Sequence, residues 1–163
     1  MSAMTFTITK EDIYDRLFAT SAYASRSREA MGIPSDIIER MQATADEKKI
    51  IEPLIDSSVD DAYTHIARYF PGSTSQFTGD TQNGKYTFYI PTPTEYPSGN
   101  SDRLKRCITS FIVNRTLQAW YTDVKPDEAS IAATKAQSDA ANIVQLLTQR
   151  TRPIKIYDDI IQL

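Results

Sequence analysis

The chain has 163 residues, 40% hydrophobic and 24% charged, with a formal net charge of −3. That length suits one domain with a sizeable core, and the composition is too apolar for a disordered chain. The acidic balance argues against a general nucleic-acid binder, which is usually strongly basic, but leaves room for a local basic patch.

The opening Met1-Ser-Ala-Met-Thr-Phe-Thr-Ile-Thr9 lacks the basic start and long apolar run of a signal peptide. No window approaches the roughly 18 apolar residues of a membrane span. The expectation is a soluble chain made in a cytoplasm, with no membrane partner. Thr9-Lys-Glu-Asp12 is a helix start, with Thr9 as cap and Glu11 and Asp12 at the positive end of the helix dipole. Ile13, Leu17 and Phe18 give that helix an apolar stripe. Gly32-Ile-Pro-Ser35 punctuates: Gly32 can end one helix and Ser35 can cap the next, with Asp36 and Glu39 in its first turn.

Thr44-Ala-Asp-Glu47 has capping-box spacing and precedes the longest periodic run, 48–70. Its apolar positions are Ile51, Leu54, Ile55, Val59, Ala62, Ile66 and Tyr69. Pro53 sits inside, and the pattern favours one helix with a bend there. Pro71-Gly72 stops it. Residues 72–100 differ in kind, being rich in Ser, Thr, Gly and Pro. Asn83-Gly84 lies between two β-prone runs, a strong hairpin signal. Tyr86, Phe88 and Ile90 alternate, so one face of that strand packs down.

Residues 101–150 then read as a helical hairpin. Leu104, Cys107, Ile108, Phe111, Ile112 and Leu117 step at helical spacing. Lys125-Pro126-Asp127-Glu128 opens the second helix, which carries Ile131, Ala136, Ala140, Ile143, Val144 and Leu147. A proline break leads into the apolar tail 151–163. The expected fold class is mainly α: a small bundle of three to four main helices in one domain, 1–163. An inserted β-hairpin arm occupies 72–100, and the C-terminal tail is extended.

Catalytic chemistry is not visible, and no cofactor or metal is expected. The lone cysteine, Cys107, excludes an internal disulfide framework and a cysteine zinc site, and reads as a small core hydrophobe. His65, the only histidine, has Asp61, Ala62, Arg68 and Tyr69 at helical spacing, which make no triad, and reads as packed or surface. Asp56 and Asp60 share a helical face beside Asp61, but no Glu-x-x-His motif accompanies them, so they read as a solvated acidic face. No phosphate-binding glycine loop exists. Arg103, Lys105, Arg106 and Arg115 form one basic patch; Arg150, Arg152 and Lys155 form another. Either could touch a phosphate backbone, or serve as surface charges or ion-pair donors to a partner chain.

Nine tyrosines are many for this length. Aromatic residues concentrate at interfaces because they bury large area while keeping a polar handle. A small arm cannot bury Phe77, Tyr86, Phe88 and Tyr89 by itself. The tail residues Ile154, Ile156, Tyr157 and Ile160 are too apolar to stay uncovered. Both groups are expected to meet another subunit or a partner.

The layout resembles the head–tail connector, or head-completion adaptor, family of tailed phages. The resemblance rests on the capped helix Thr9-Lys-Glu-Asp-Ile-Tyr-Asp-Arg-Leu17 and on Leu54-Ile-Asp-Ser-Ser-Val-Asp-Asp-Ala-Tyr-Thr-His-Ile-Ala-Arg-Tyr-Phe-Pro71. Leu104-Lys-Arg-Cys-Ile-Thr-Ser-Phe-Ile-Val-Asn-Arg-Thr-Leu117 and a final helix ending near Thr151-Arg-Pro153 complete it. It covers roughly 9–152, and its motifs are patterns of helix length and spacing. The chain departs from it by an extra helical stretch at 24–43, the long 72–100 segment and the tail. The resemblance implies a structural virion protein: a homo-oligomeric ring between portal and tail proteins, with non-specific contact to packaged DNA. The competing expectation is a non-catalytic bacterial helical module that binds another protein.

Overall fold

The computed structural model describes residues 2–70, 76–80, 83–92 and 96–149. The chain opens with a strand, β1 (Ser2–Thr9), and passes without a loop into α1 (Lys10–Glu29). Thr9 makes that junction, because its side chain accepts the N–H of Asp12 at 3.2 Å from an extended backbone. α1 ends where Gly32 takes a left-handed φ of 80°, which costs a glycine little. α2 (Ser35–Met41) follows Pro34; Ser35 is its first helical residue rather than its cap. The Thr44–Glu47 capping box is present and opens a short 3-10 turn that feeds α3 (Lys48–Ala67). α3 is a single helix that runs through Pro53, as expected.

After α3 come β2 (Gln76–Asp80) and β3 (Lys85–Thr92), then α4 (Asn100–Tyr121) and α5 (Pro126–Thr148). The protein is mainly helical with an antiparallel hairpin, as the sequence pattern implies. The hairpin turn is not a two-residue type I′ turn. That turn needs positive φ at both Asn83 and Gly84, and only Gly84 has it, at 60°.

The hairpin also does not stand alone. β1 pairs with β3 along its whole length, giving the antiparallel order β1-β3-β2. The register sets Phe6 and Phe77 on either side of Phe88. Period-two alternation then puts Met4, Phe6, Ile8, Tyr86, Phe88 and Ile90 on one buried face. The other face carries Thr5, Thr7, Thr87 and Tyr89, with the Thr7 and Thr87 hydroxyls 3.1 Å apart. The buried face joins the helices in one continuous core. The expected inserted arm is therefore a wall of the body. An N-terminal strand supplies the third member that a bare hairpin lacks.

α4 is the central element, packed against α1, α3, α5 and β1. Phe111, Ile112, Val113 and Asn114 are four consecutive buried residues, which requires neighbours on every side of the helix. α5 meets it through Ala132, Ala136, Ile143 and Leu147. The helical pair 101–150 thus finds α3 on one side and α1 on another.

Candidate functional site

Among the hollows that flank α4 in the described residues, two bear on the expected sites. The first lies between α3, α4 and α5 and holds about 260 Å3 among Asp61, His65, Arg68, Phe111, Arg115 and Gln137. Arg115 crosses its floor. Its guanidinium donates to Asp61 at 2.7 and 3.3 Å and to Gln118 at 2.8 Å, which holds the planar fork in one place. His65 stacks on Phe111 with ring centroids 6.2 Å apart, and its Nε2–H donates to the Ala140 carbonyl at 3.2 Å. His65 is a packed residue tying α3 to α5.

The second groove runs between α1 and α4. At one end about 320 Å3 opens among Ile8, Asp12, Asp15, Arg16, Lys105 and Arg106. It continues past Ala19 and Thr20 to Ser110, Val113 and Asn114. Small residues on α1 leave this channel open. Arg103 and Arg106 are exposed and Lys105 is half-buried. Among the described residues none of Arg16, Arg103, Lys105 or Arg106 forms an ion pair. The expected patch of Arg103, Lys105, Arg106 and Arg115 is divided. Arg115 turns to Asp61 in the first groove, while Lys105 and Arg106 line the second.

The acidic cluster is divided as well, which corrects its reading as one solvated face. Asp56 points to the sheet, where it accepts the Tyr86 hydroxyl and lies 3.6 Å from Lys10 Nζ. Asp61 serves Arg115, and Asp60 is exposed. Among the described residues no group of three or more His, Cys, Asp or Glu is placed to hold a metal ion. No helix among them is long and apolar enough to cross a membrane.

The interface residues proposed from the hairpin separate cleanly. Tyr86 and Phe88 are 2% and 1% exposed, so the folded body itself covers them. Phe77 packs on Tyr63 and Phe88 with centroids at 5.5 and 5.2 Å. Their expected role in subunit contacts is corrected, because β1 and α3 provide the cover that the hairpin alone lacks. Tyr89 alone faces outward, at 39% exposure. The remaining candidates, Ile154, Ile156, Tyr157 and Ile160 with Arg150 and Arg152, lie outside the described residues.

Sequence reasoning missed the polar joint beneath the sheet. Lys10 is buried, and its Nζ is 2.7 Å from Glu52 and 5.6 Å from the Tyr86 ring centre. Burial, then the hydrogen bond to Asp56 and nearby carboxylate charge, pushes the Tyr86 hydroxyl pKa far above its ordinary value. Tyr14 beside it is raised chiefly by burial. A further long-range pair joins Arg28 of α1 to the buried Glu128 at the start of α5. Burial also raises the Cys107 thiol, and Asp139 adds to the shift while Arg103 and Arg106 oppose it. A raised thiol is a poor nucleophile, in keeping with a packing role.

No family model, curated protein or solved structure matches this chain.

Proposed function

We propose that the protein is a structural head–tail connector of a tailed phage or prophage, forming a ring between portal and tail. The observation that carries this reading is the arrangement of the helices. α3 and the α4–α5 pair pack into one body, with the hairpin inserted between α3 and α4. That is the plan implied by the family the sequence resembles. The body offers two different grooves on different sides of α4. Two unlike surfaces on one subunit are what a head-to-tail ring requires, since such contacts close when the rotation permits. In this role the side chains hold shape, and the assembly, rather than a reaction, is the activity. The virion is then its destination, after synthesis in the host cytoplasm. Arg103, exposed at the start of α4 with Lys105 and Arg106 nearby, supplies charge for non-specific contact with packaged DNA.

The test is co-expression with each candidate portal protein from the genome that encodes this chain. The connector reading expects the two to co-sediment as one particle; a chain that stays at the top of the gradient with every candidate portal contradicts it. The second reading, a bacterial helical module that binds another protein, draws on the α3–α4–α5 groove, whose mixed lining of Arg68, Phe111 and Gln137 suits a peptide segment. Proteins captured through that groove and lost on Arg68→Glu would favour it.

A further inference from the structure

Among the described residues β1 is an edge strand with an open outer side. In the order β1-β3-β2 it pairs with β3 alone. Among the described residues, none of 2–8 makes a backbone hydrogen bond outside that pairing. Every second N–H and C=O of β1 therefore points away from β3, with no ladder partner among the described residues. Free edges are normally blunted by lysine, proline, a bulge or a covering element. β1 reads Ser-Ala-Met-Thr-Phe-Thr-Ile-Thr, with no charge and no proline, in unbroken register from Ser2↔Thr92 to Thr9↔Lys85. Such an edge is a template for another strand.

The cleft between α1 and α4 opens beside its far end, where Ile8 meets Arg16, Lys105 and Arg106. Those three cations have no ion-pair partner among the described residues. One segment of the chain has the matching pattern. Residues 150–163 alternate Ile154 and Ile156 with Lys155 and Tyr157, then present Asp158 and Asp159. β-branched residues at period two suit a strand, and the acidic pair complements the cleft's cations, which outnumber its own carboxylates, Asp12 and Asp15, by one. α5 ends at Thr148, and the side chain of Gln149 accepts from Asn100 Nδ2 at 2.8 Å. Gln149, the last described residue before the tail, therefore lies beside the first turn of α4, whose next turns line the cleft.

We propose that residues 150–163 of one copy add to the open edge of β1 on a neighbouring copy. Ile154 and Ile156 extend the face of Met4, Phe6 and Ile8, and Asp158 and Asp159 meet Arg16, Lys105 and Arg106. Main-chain hydrogen bonds give such a joint its strength, and alternate side chains give it register. Donation to a neighbour rests on the ring reading above. Each copy then offers its β1 edge and donates one strand, and closure leaves no β1 edge uncovered.

The test uses the full chain in a Cys107→Ser background. Thr5→Cys marks the exposed side of β1 and Lys155→Cys marks the tail; a short bismaleimide joins them even if the register shifts slightly. Mixing the two single variants should give covalent dimers on a denaturing gel, and the double variant should give a ladder of multimers. Adding Ile154→Asp and Ile156→Asp should remove the ladder while circular dichroism stays unchanged. Cross-links confined within single chains overturn the proposal, as does their absence at the highest soluble concentration with portal present. Rings without the cross-link would remove the strand donation and leave the connector reading. A cross-linked ladder that never closes into rings would do the reverse.

Discussion

The backbone N–H of Lys10 donates to the carbonyl of Gly84 at 2.7 Å. The first residue of α1 is thereby capped by the hairpin turn, and its side chain continues inward to Glu52 on α3. One residue thus ties together the N-terminal strand–helix junction, the hairpin and the third helix. The joint satisfies an amide that a helix start otherwise leaves without a partner.

Gly84 is the weak point of that joint. Its φ of 60° is strained for any residue with a Cβ, and an added Cβ would also sit 3.5 Å from the Lys10 side chain. Gly84→Ala should lower stability by about 1 kcal/mol. Urea unfolding followed by circular dichroism measures it, and Gly99→Ala, where nothing lies within 4 Å of the added carbon and φ is −72°, is the matched control.

Phe88 and Tyr89 are neighbours with opposite roles. Phe88 stacks on Phe6 at 5.5 Å and is wholly enclosed, whereas Tyr89 faces out. Phe88→Ala should cost about 3–5 kcal/mol through lost transfer energy and a residual cavity. Tyr89→Ala should change stability by no more than about 0.5 kcal/mol. Equal effects from the two would contradict the assignment of the sheet's inner and outer faces.

The helices were legible in the sequence because their signals are local. The Thr44–Glu47 capping box, the stripe Ile51, Ile55, Val59 and Ala62, and the Lys125-Pro126 start each lie within a few residues of what they specify. β1 was not legible. Met4, Phe6 and Ile8 do alternate at period two, but the strand that pairs with them begins at Lys85, beyond any local pattern. That one pairing turns the hairpin from an arm into a wall and takes Tyr86 and Phe88 out of reach of a partner. The division of Asp56 from Asp61 was hidden for the same reason, since helical spacing gives a residue's direction but not what waits there.

Lys10→Met keeps the aliphatic stem and removes the charge. Glu52 and Asp56 are about two-fifths exposed and can rehydrate, so the loss should be modest, about 1–2 kcal/mol. A double-mutant cycle with Glu52→Gln isolates that pair; a coupling near zero would show that Glu52 is not the partner through which the Lys10 charge acts, leaving Asp56 and the Tyr86 ring.

Tyr121 is 3% exposed, and its hydroxyl has no hydrogen-bond partner among the described residues. Burial, reinforced by Glu128, pushes its pKa up to about 12. The folded state therefore holds this proton more tightly than the unfolded chain, whose tyrosines ionise near about 10. The stabilisation is fully present below that value and is lost as pH rises from about 10 to about 12. Urea midpoints should fall across that window, with tyrosinate absorbance appearing on unfolding. Tyr121→Phe should flatten the decline and raise stability at neutral pH by about 1 kcal/mol, because a buried hydroxyl without a partner is removed.

The most direct test of the connector reading is electron microscopy of the full chain mixed with portal rings from the genome that encodes it. The expected result is a second ring, made of this protein, stacked on one end of the portal. Portal rings left bare, with this chain free in the background at saturating concentration, would contradict it.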